Sequence, residues 1–390
     1  MPTPWRFVAA GAVAMAAVVT GLKLHAVAGR GRELSFTLIA GFAAGFVFQR
    51  SRFCFASAFR DLFQKRERSV LLGLLAALAV GSAGYMVIFG AWVPDPTLYR
   101  PDTAHIAPVG LHLAIGGALF GFGMVLGGGC ITGHLYRVGE GSTVAWVGLL
   151  GVFAGYAVGL AAWNPIYLNL VGSGRGLWLP ERLGYAGAFA LQMSALAAGA
   201  VILLKRTPAP GVTAGEPATA WTVTRRIFVE AWPAWAGGIA LGLIATFAYL
   251  RTSPLGVTEE IGRLSRIAGS AMGIVPERLQ GLDGLKGCAA VANPAAVSTN
   301  AVFVLALAGG AFFAALVAGE FRPRAGTPKG YLRALGGGVL VGFGAMISLG
   351  CTVGTLMSGV MAFSLSGWIF FVALAVGAWA GTRALGRPAP

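Results

Sequence analysis

Charge is scarce in this sequence. Asp, Glu, Lys and Arg together make up 11% of 390 residues, where about a quarter is usual for soluble domains. A chain of this size with so few charges cannot keep a globular surface in water, which excludes a soluble enzyme or binding module. Acidic residues are the scarcer half, 14 against 29 Lys and Arg. No polar segment interleaves basic with aromatic residues, so nucleic acid is not an expected partner. The net charge of +15 is instead the excess expected of basic loops kept on the cytoplasmic side of a membrane. Cysteine is also rare: Cys54, Cys130, Cys288 and Cys351 are more than sixty residues apart, with no C-x-x-C pair and no His at zinc-ligand spacing. A structural zinc site and a thioredoxin-like motif are excluded, and no metal or other cofactor is expected. A P-loop is missing too, so this chain does not itself use ATP.

What is present is apolar. Hydrophobic residues are 56% of the chain and the mean hydropathy is +0.75. The 60 glycines, about double the usual share, have no G-X-Y period, which excludes collagen, and the apolar content excludes disorder. The composition predicts an all-α polytopic membrane protein.

Apolar runs of membrane-spanning length predict spans over residues 7–24, 70–92, 143–162, 184–204, 234–250, 300–318 and 367–385. Four further stretches are apolar but interrupted. Residues 34–63 are broken at Arg50-Ser51-Arg52, and 111–138 at Gly127-Gly128-Gly129. The span at 234–250 runs on past Ser253-Pro254-Leu255-Gly256, and 331–363 is broken around 348–354. A broken helix inside a membrane is tolerated only where its free backbone groups face protein or a watery cavity. The basic clusters at 65–68, at Lys205-Arg206 with Arg225-Arg226, and at 322–333 are placed in the cytoplasm, which puts both termini there. The chain then divides into an N-terminal span (1–33), a first repeat half with a linking span (34–204), a cytoplasmic linker (205–232) and a second repeat half (233–390). An external insertion near 259–297 contains Cys288. Arg6, the apolar run and Ala26-Val27-Ala28 also fit a signal peptide; the length of the run favours an uncleaved span.

The repeat is the informative feature. Residues 119–135 and 340–356, offset by 221, share the pattern G-F-G-x₅-G-C-x-x-G-x-L and agree at 8 of 17 positions. Counting crossings, the two copies run in opposite directions, an inverted-topology repeat whose re-entrant breaks meet at the mid-plane and place a site there. Small-residue packing accounts for Gly121, Gly123, Gly342 and Gly344. It accounts less well for Gly129, Cys130, Gly133 and their counterparts Gly350, Cys351, Gly354. Helix N-termini at such breaks offer free N–H groups to an anion, and Arg50 and Arg52 are costly intramembrane charges that fit a pathway. Arg137 reads as a structural pair with Glu140, and His134 as structural, because its counterpart is Thr355. Thiols, soft and weakly donating, fit a sulfur-bearing anion. Cys288, without a repeat partner, reads as a buried hydrophobe.

These residues resemble the YeeE/YedE family of bacterial inner-membrane proteins, whose studied members take up thiosulfate. The likeness rests on the stretch from Gly45-Phe46 through Arg50-Ser51-Arg52-Phe53-Cys54 to Asp61, the Cys130 segment continuing to Gly141, and the Cys351 segment continuing to Ser366. It implies an hourglass-like channel in which Cys54, Cys130 and Cys351 relay the anion by S–H···S contacts. A small TusA-like sulfur-carrier protein in the cytoplasm is the implied partner, separate from this chain, beside membrane lipid. The first two stretches are closest to the YedE branch, associated with selenium metabolism, so a selenium compound is the alternative substrate. A membrane thiol–disulfide oxidoreductase is the alternative chemistry; it needs a thiolate next to a disulfide, and the lack of C-x-x-C opposes it.

Overall fold

The computed structural model describes residues 5–101, 103–205, 219–282 and 298–386. Its only sheet among these residues pairs Pro108–Val109 with Arg175–Gly176. Among the described residues, ten helical segments are long and apolar enough to cross a membrane, and helices are an architecture that keeps backbone groups paired in lipid. The chain is an all-α, multi-pass membrane protein.

In order, the helices are α1 (Trp5–His25), α2 (Gly31–Arg50), α3 (Phe55–Gln64), α4 (Ser69–Trp92), α5 (Leu111–Leu126), α6 (Ile131–Gly139), α7 (Thr143–Ala161), the short α8 (Trp163–Ile166) and α9 (Leu179–Leu204). After the linker come α10 (Ala220–Phe228), α11 (Ala234–Arg251), α12 (Thr258–Ala271), α13 (Thr299–Ala318), α14 (Pro328–Ile347), α15 (Thr352–Met361) and α16 (Leu365–Leu385). The uninterrupted spans match the apolar runs to within a few residues. The exception is α9, which starts before residue 184; Gly184 (φ 65°, ψ 174°) is a kink within it. The stretch 259–297, read from sequence as an insertion, opens with α12. That helix follows the end of α11 as α3 follows α2, and it packs on α7. Cys288 lies outside the described residues, as does part of the linker.

Helix pairing obeys an internal two-fold relation. Helix α2 packs on α13 as α11 packs on α4, α7 on α14 as α16 on α5, and α5 crosses α14 at the centre. Equivalent glycines make the central crossing possible. A methyl on Gly123 would lie 2.7 Å from the Gly337 carbonyl oxygen, and one on Gly344 would lie 2.6 Å from that of Gly116. Both pairs of positions are related by the 221-residue offset. Only a backbone without side chains can approach so closely, and dispersion over such contacts is what holds helices together in lipid.

The loops at 65–68, 140–142 and 319–327 share one face, here the basic face. Thr143 N–H donates to the Arg324 carbonyl (3.2 Å), and the α3–α4 loop borders the same cavity. Arg6 reaches the Gly319 carbonyl at that face and Gln64 reaches that of Gly386, so the first and last described helices both have an end there.

Candidate functional site

Each of the three cysteines stands at the residue just before a short helix that follows a break: Cys54 before α3, Cys130 before α6 and Cys351 before α15, all with extended backbone. The N–H groups of a first helical turn have no carbonyl partner within the helix. At Cys130 one of them turns toward sulfur: Gly133 N–H donates to Cys130 Sγ (3.4 Å), whereas Cys54 and Cys351 make no such cap. The breaks have local causes. Arg52 (φ 49°), Gly128 (φ 78°) and Leu349 (φ 58°) adopt left-handed backbone that ends the preceding helix, and Pro254 removes a donor after α11.

The breaks converge. The Cys54 and Cys130 thiols lie side by side. They flank Gly133, where a methyl would lie 3.1 Å from Cys54 Sγ and 3.5 Å from Cys130 Sγ. The Thr352 side chain lies near Cys130, bringing the break before α15 beside that before α6, and Cys351 lies near Val257 and Thr258 at the break before α12. The Thr352 and Thr258 hydroxyls are buried without a hydrogen-bond partner. The four breaks thus gather around three thiols, which are free and at most 1% exposed, a sealed constriction.

On the basic face the constriction opens into a cavity of about 850 Å³, lined by Arg52, Ser57, Tyr136, Arg137, Glu140 and Glu320 among others. Arg50 does not line it. Its side chain is 1% exposed and its donors are engaged: Nη2 to Glu320 Oε2 (2.6 Å), Nη1 to the Val229 carbonyl (2.6 Å) and Nε to Gln49 Oε1 (2.7 Å). Arg52, 70% exposed, meets the other oxygen of Glu320 at 3.1 Å. Arg137 makes no ion pair with Glu140, contrary to the sequence reading. Its guanidinium donates to the Gly128 carbonyl and lies over the Tyr136 ring. Burial raises the Glu140 carboxyl above the ordinary carboxylate range, against the pull of Arg137. Burial would raise Glu320 as well, but the Arg50 charge and the hydrogen bonds from Gln49 and Arg52 bring it below that range.

On the opposite face the segment 103–107 closes over the constriction. His105 Nε2 and Thr355 Oγ1 are 3.1 Å apart, and Thr103 Oγ1 and Tyr249 Oη are 3.1 Å apart; Ala104, His105 and Ala107 are buried. Sequence reasoning missed His105, Thr258 and Thr352. Thr352 adjoins Cys351 and could have been found from the repeat, whereas nothing in the local pattern marks His105.

Residues 50–380 match the family described as sulphur transport. The thiosulfate transporter TsuA of Escherichia coli (strain K12) is 30% identical over 348 residues, covering 88% of this chain and 92% of that protein. The thiosulfate transporter TsuA of Spirochaeta thermophila is 28% identical over 359 residues, 88% and 96% of the two chains. The probable transporter YedE of Salmonella typhimurium is 34% identical over 118 residues, 30% of this chain and 27% of that one.

Proposed function

Because the chain belongs to the sulphur transport family, we propose that it carries a small sulfur-containing anion, thiosulfate, across the bacterial inner membrane into the cell. Cys54, Cys130 and Cys351 relay the anion, and the basic face is cytoplasmic. The observation that carries this reading is the gathering of three buried free thiols, Cys351, Cys130 and Cys54, each at the start of a helix that follows a break.

Thiosulfate presents oxygens at one end and a polarizable sulfur at the other. An anion entering a sealed, apolar constriction must exchange its hydration for fixed donors or be excluded. Helix-start amides supply donors for oxygen, and thiols supply soft, weak donors for sulfur. Weakness is an advantage here, since conduction needs sites that bind well enough to admit an ion and loosely enough to release it. The glycines fit the same scheme: Gly133 leaves Cys54 and Cys130 side by side, Gly354 stands at the equivalent position after Cys351, and Gly129 and Gly350 keep the turns before the thiols narrow. Arg52, Arg137, Arg322 and Arg324 bring guanidinium donors to the cytoplasmic cavity, opposite Asp61, Glu67, Glu140 and Glu320, while Arg50 fixes its wall. A TusA-like sulfur carrier would receive the anion at this face, where Arg66, Arg322 and Arg324 have no ion pair among the described residues.

Purified protein in liposomes tests this. Labelled thiosulfate should accumulate, and unlabelled thiosulfate should compete better than sulfite, sulfate or selenite. Cys130→Ala and Cys351→Ala should each abolish uptake at an unchanged melting temperature; full uptake by both would reject the relay.

A further inference from the structure

We propose that the pathway holds two matched imidazole stations, His134 and His105, one at each Gly-Cys break, which supply hydrogen bonds to the anion's oxygens while the thiols meet its sulfur. His134 acts directly, and His105 is a positioning residue acting through the Thr355 hydroxyl. The inference rests on the transport reading above and adds how the oxygen end of the anion is held.

The two sites are alike in geometry. At Gly129 an added methyl would lie 3.2 Å from Cε1 and 3.3 Å from Nε2 of His134; at the equivalent Gly350 it would run first into the Thr355 hydroxyl and lie 3.3 Å from both Cε1 and Nε2 of His105. The glycine of each Gly-Cys pair leaves room for an imidazole edge at the turn, directly at Gly129 and together with the Thr355 hydroxyl at Gly350.

The repeat does not produce this match. His134 lies on α6, four residues after Cys130, and its counterpart on α15 is Thr355. The second imidazole comes instead from the segment before α5, in the other half of the chain, and is held against Thr355 at 3.1 Å. Two unrelated segments bring the same chemical group to equivalent points. Filling space does not require that, since any side chain of suitable volume would serve; binding the same ligand atoms at both breaks does.

The hydrogen-bond accounting agrees. His134 is 1% exposed, and neither ring nitrogen has a partner. A neutral imidazole carries one donor and one acceptor, and burying both unmet costs stability that an apolar residue would spare. Arg137 Nη1 lies 3.4 Å from the same Gly129 methyl position, so an oxyanion at this turn would meet both a cation and an N–H donor.

The test measures initial rates of thiosulfate uptake against concentration in liposomes, with the melting temperature of each variant alongside. H134L should raise the half-saturating concentration about tenfold or more, the scale of a lost hydrogen bond to a charged group, with the melting temperature held or increased. H134Q or H134N, which keep a donor, should return within about threefold of wild type. T355V and H105L should raise it likewise, and H105Q should recover part of the loss. Wild-type saturation in H134L and H105L would overturn the proposal, and so would equal loss in the Leu and Gln variants, the mark of a packing role. Absence of thiosulfate uptake by the wild-type protein would overturn the transport reading itself, and this inference with it.

Discussion

Gly133→Ala tests the constriction with a single methyl. The new Cβ would lie 3.1 Å from Cys54 Sγ and 3.5 Å from Cys130 Sγ, against an optimum of about 3.5–4.0 Å for contacts between carbons. Only the Cys54 contact is tight, and that sulfur sits on one rotatable bond, so the overpacking penalty falls at the low end of the usual range, about 1 kcal/mol. Replacing a helical glycine by alanine returns about 0.5–1 kcal/mol of backbone entropy. The two effects nearly cancel, and the melting temperature of detergent-solubilised protein should barely move. Under the proposed relay, transport has no such compensation, because the methyl would stand beside both thiols on the anion's path. Initial thiosulfate uptake in liposomes should fall at least tenfold. Gly309→Ala and Gly336→Ala are the controls: nothing lies within 4 Å of either new methyl, so stability should rise slightly and uptake should stay unchanged. Wild-type uptake by Gly133→Ala would show that the anion does not pass between Cys54 and Cys130.

Leu349 holds φ at 58° where its counterpart is Gly128, and left-handed backbone costs a residue with a side chain about 1–2 kcal/mol; Leu349→Gly should offset the lost leucine packing in part, leaving a smaller melting-temperature decrease than Ile347→Gly. Glu320→Gln leaves Arg50 buried without its counter-charge and should cost about 3 kcal/mol, the lower end of the range for broken buried pairs because Glu320 is 31% exposed. The folded carboxyl of Glu320 lies below its unfolded value. Its contribution is therefore complete above the unfolded value near pH 4.3 and lost as pH falls through the folded one. An acid titration of melting temperature should show that loss in the wild type and a smaller one in Glu320→Gln.

Much of the fold was legible because its punctuation is chemical. Gly127-Gly128-Gly129 and Ser253-Pro254 interrupt long apolar runs, and interruption at matched places in two halves is how broken membrane helices appear in sequence. The polar α12 was harder to read. With Glu259, Glu260 and Arg263 it resembles an exposed insertion, yet its buried face, including Ser265 and Gly269, packs inward. The arginines show the limit of local reasoning. Arg137 and Glu140 sit at the spacing of a helical ion pair, but α6 ends at Gly139, and Glu140, beyond the helix, accepts from Gln49 instead (3.4 Å). Arg50 finds its partner 270 residues away. No local pattern could show that, nor the arrival of His105 at the second Gly-Cys turn.

The two-fold relation is most informative where it fails. Cys54 precedes α3, but the equivalent position before α12 is Val257, fully buried. Cys130 therefore has a second thiol beside it at Gly133, while Cys351 lies near Val257 and Thr258. The basic-face half of the constriction holds two sulfurs and an open cavity; the opposite half holds one sulfur beneath a closed segment. A fully symmetric path would offer an anion the same ligands from either side. Here the soft donors lie mostly on the basic-face side, so under the transport reading the sulfur end of thiosulfate is held better beside Cys130 and Cys54 than at Cys351, while net direction follows the anion's own gradient and any coupled ion. The two ends of the path differ because one valine stands where a further cysteine would complete the symmetry.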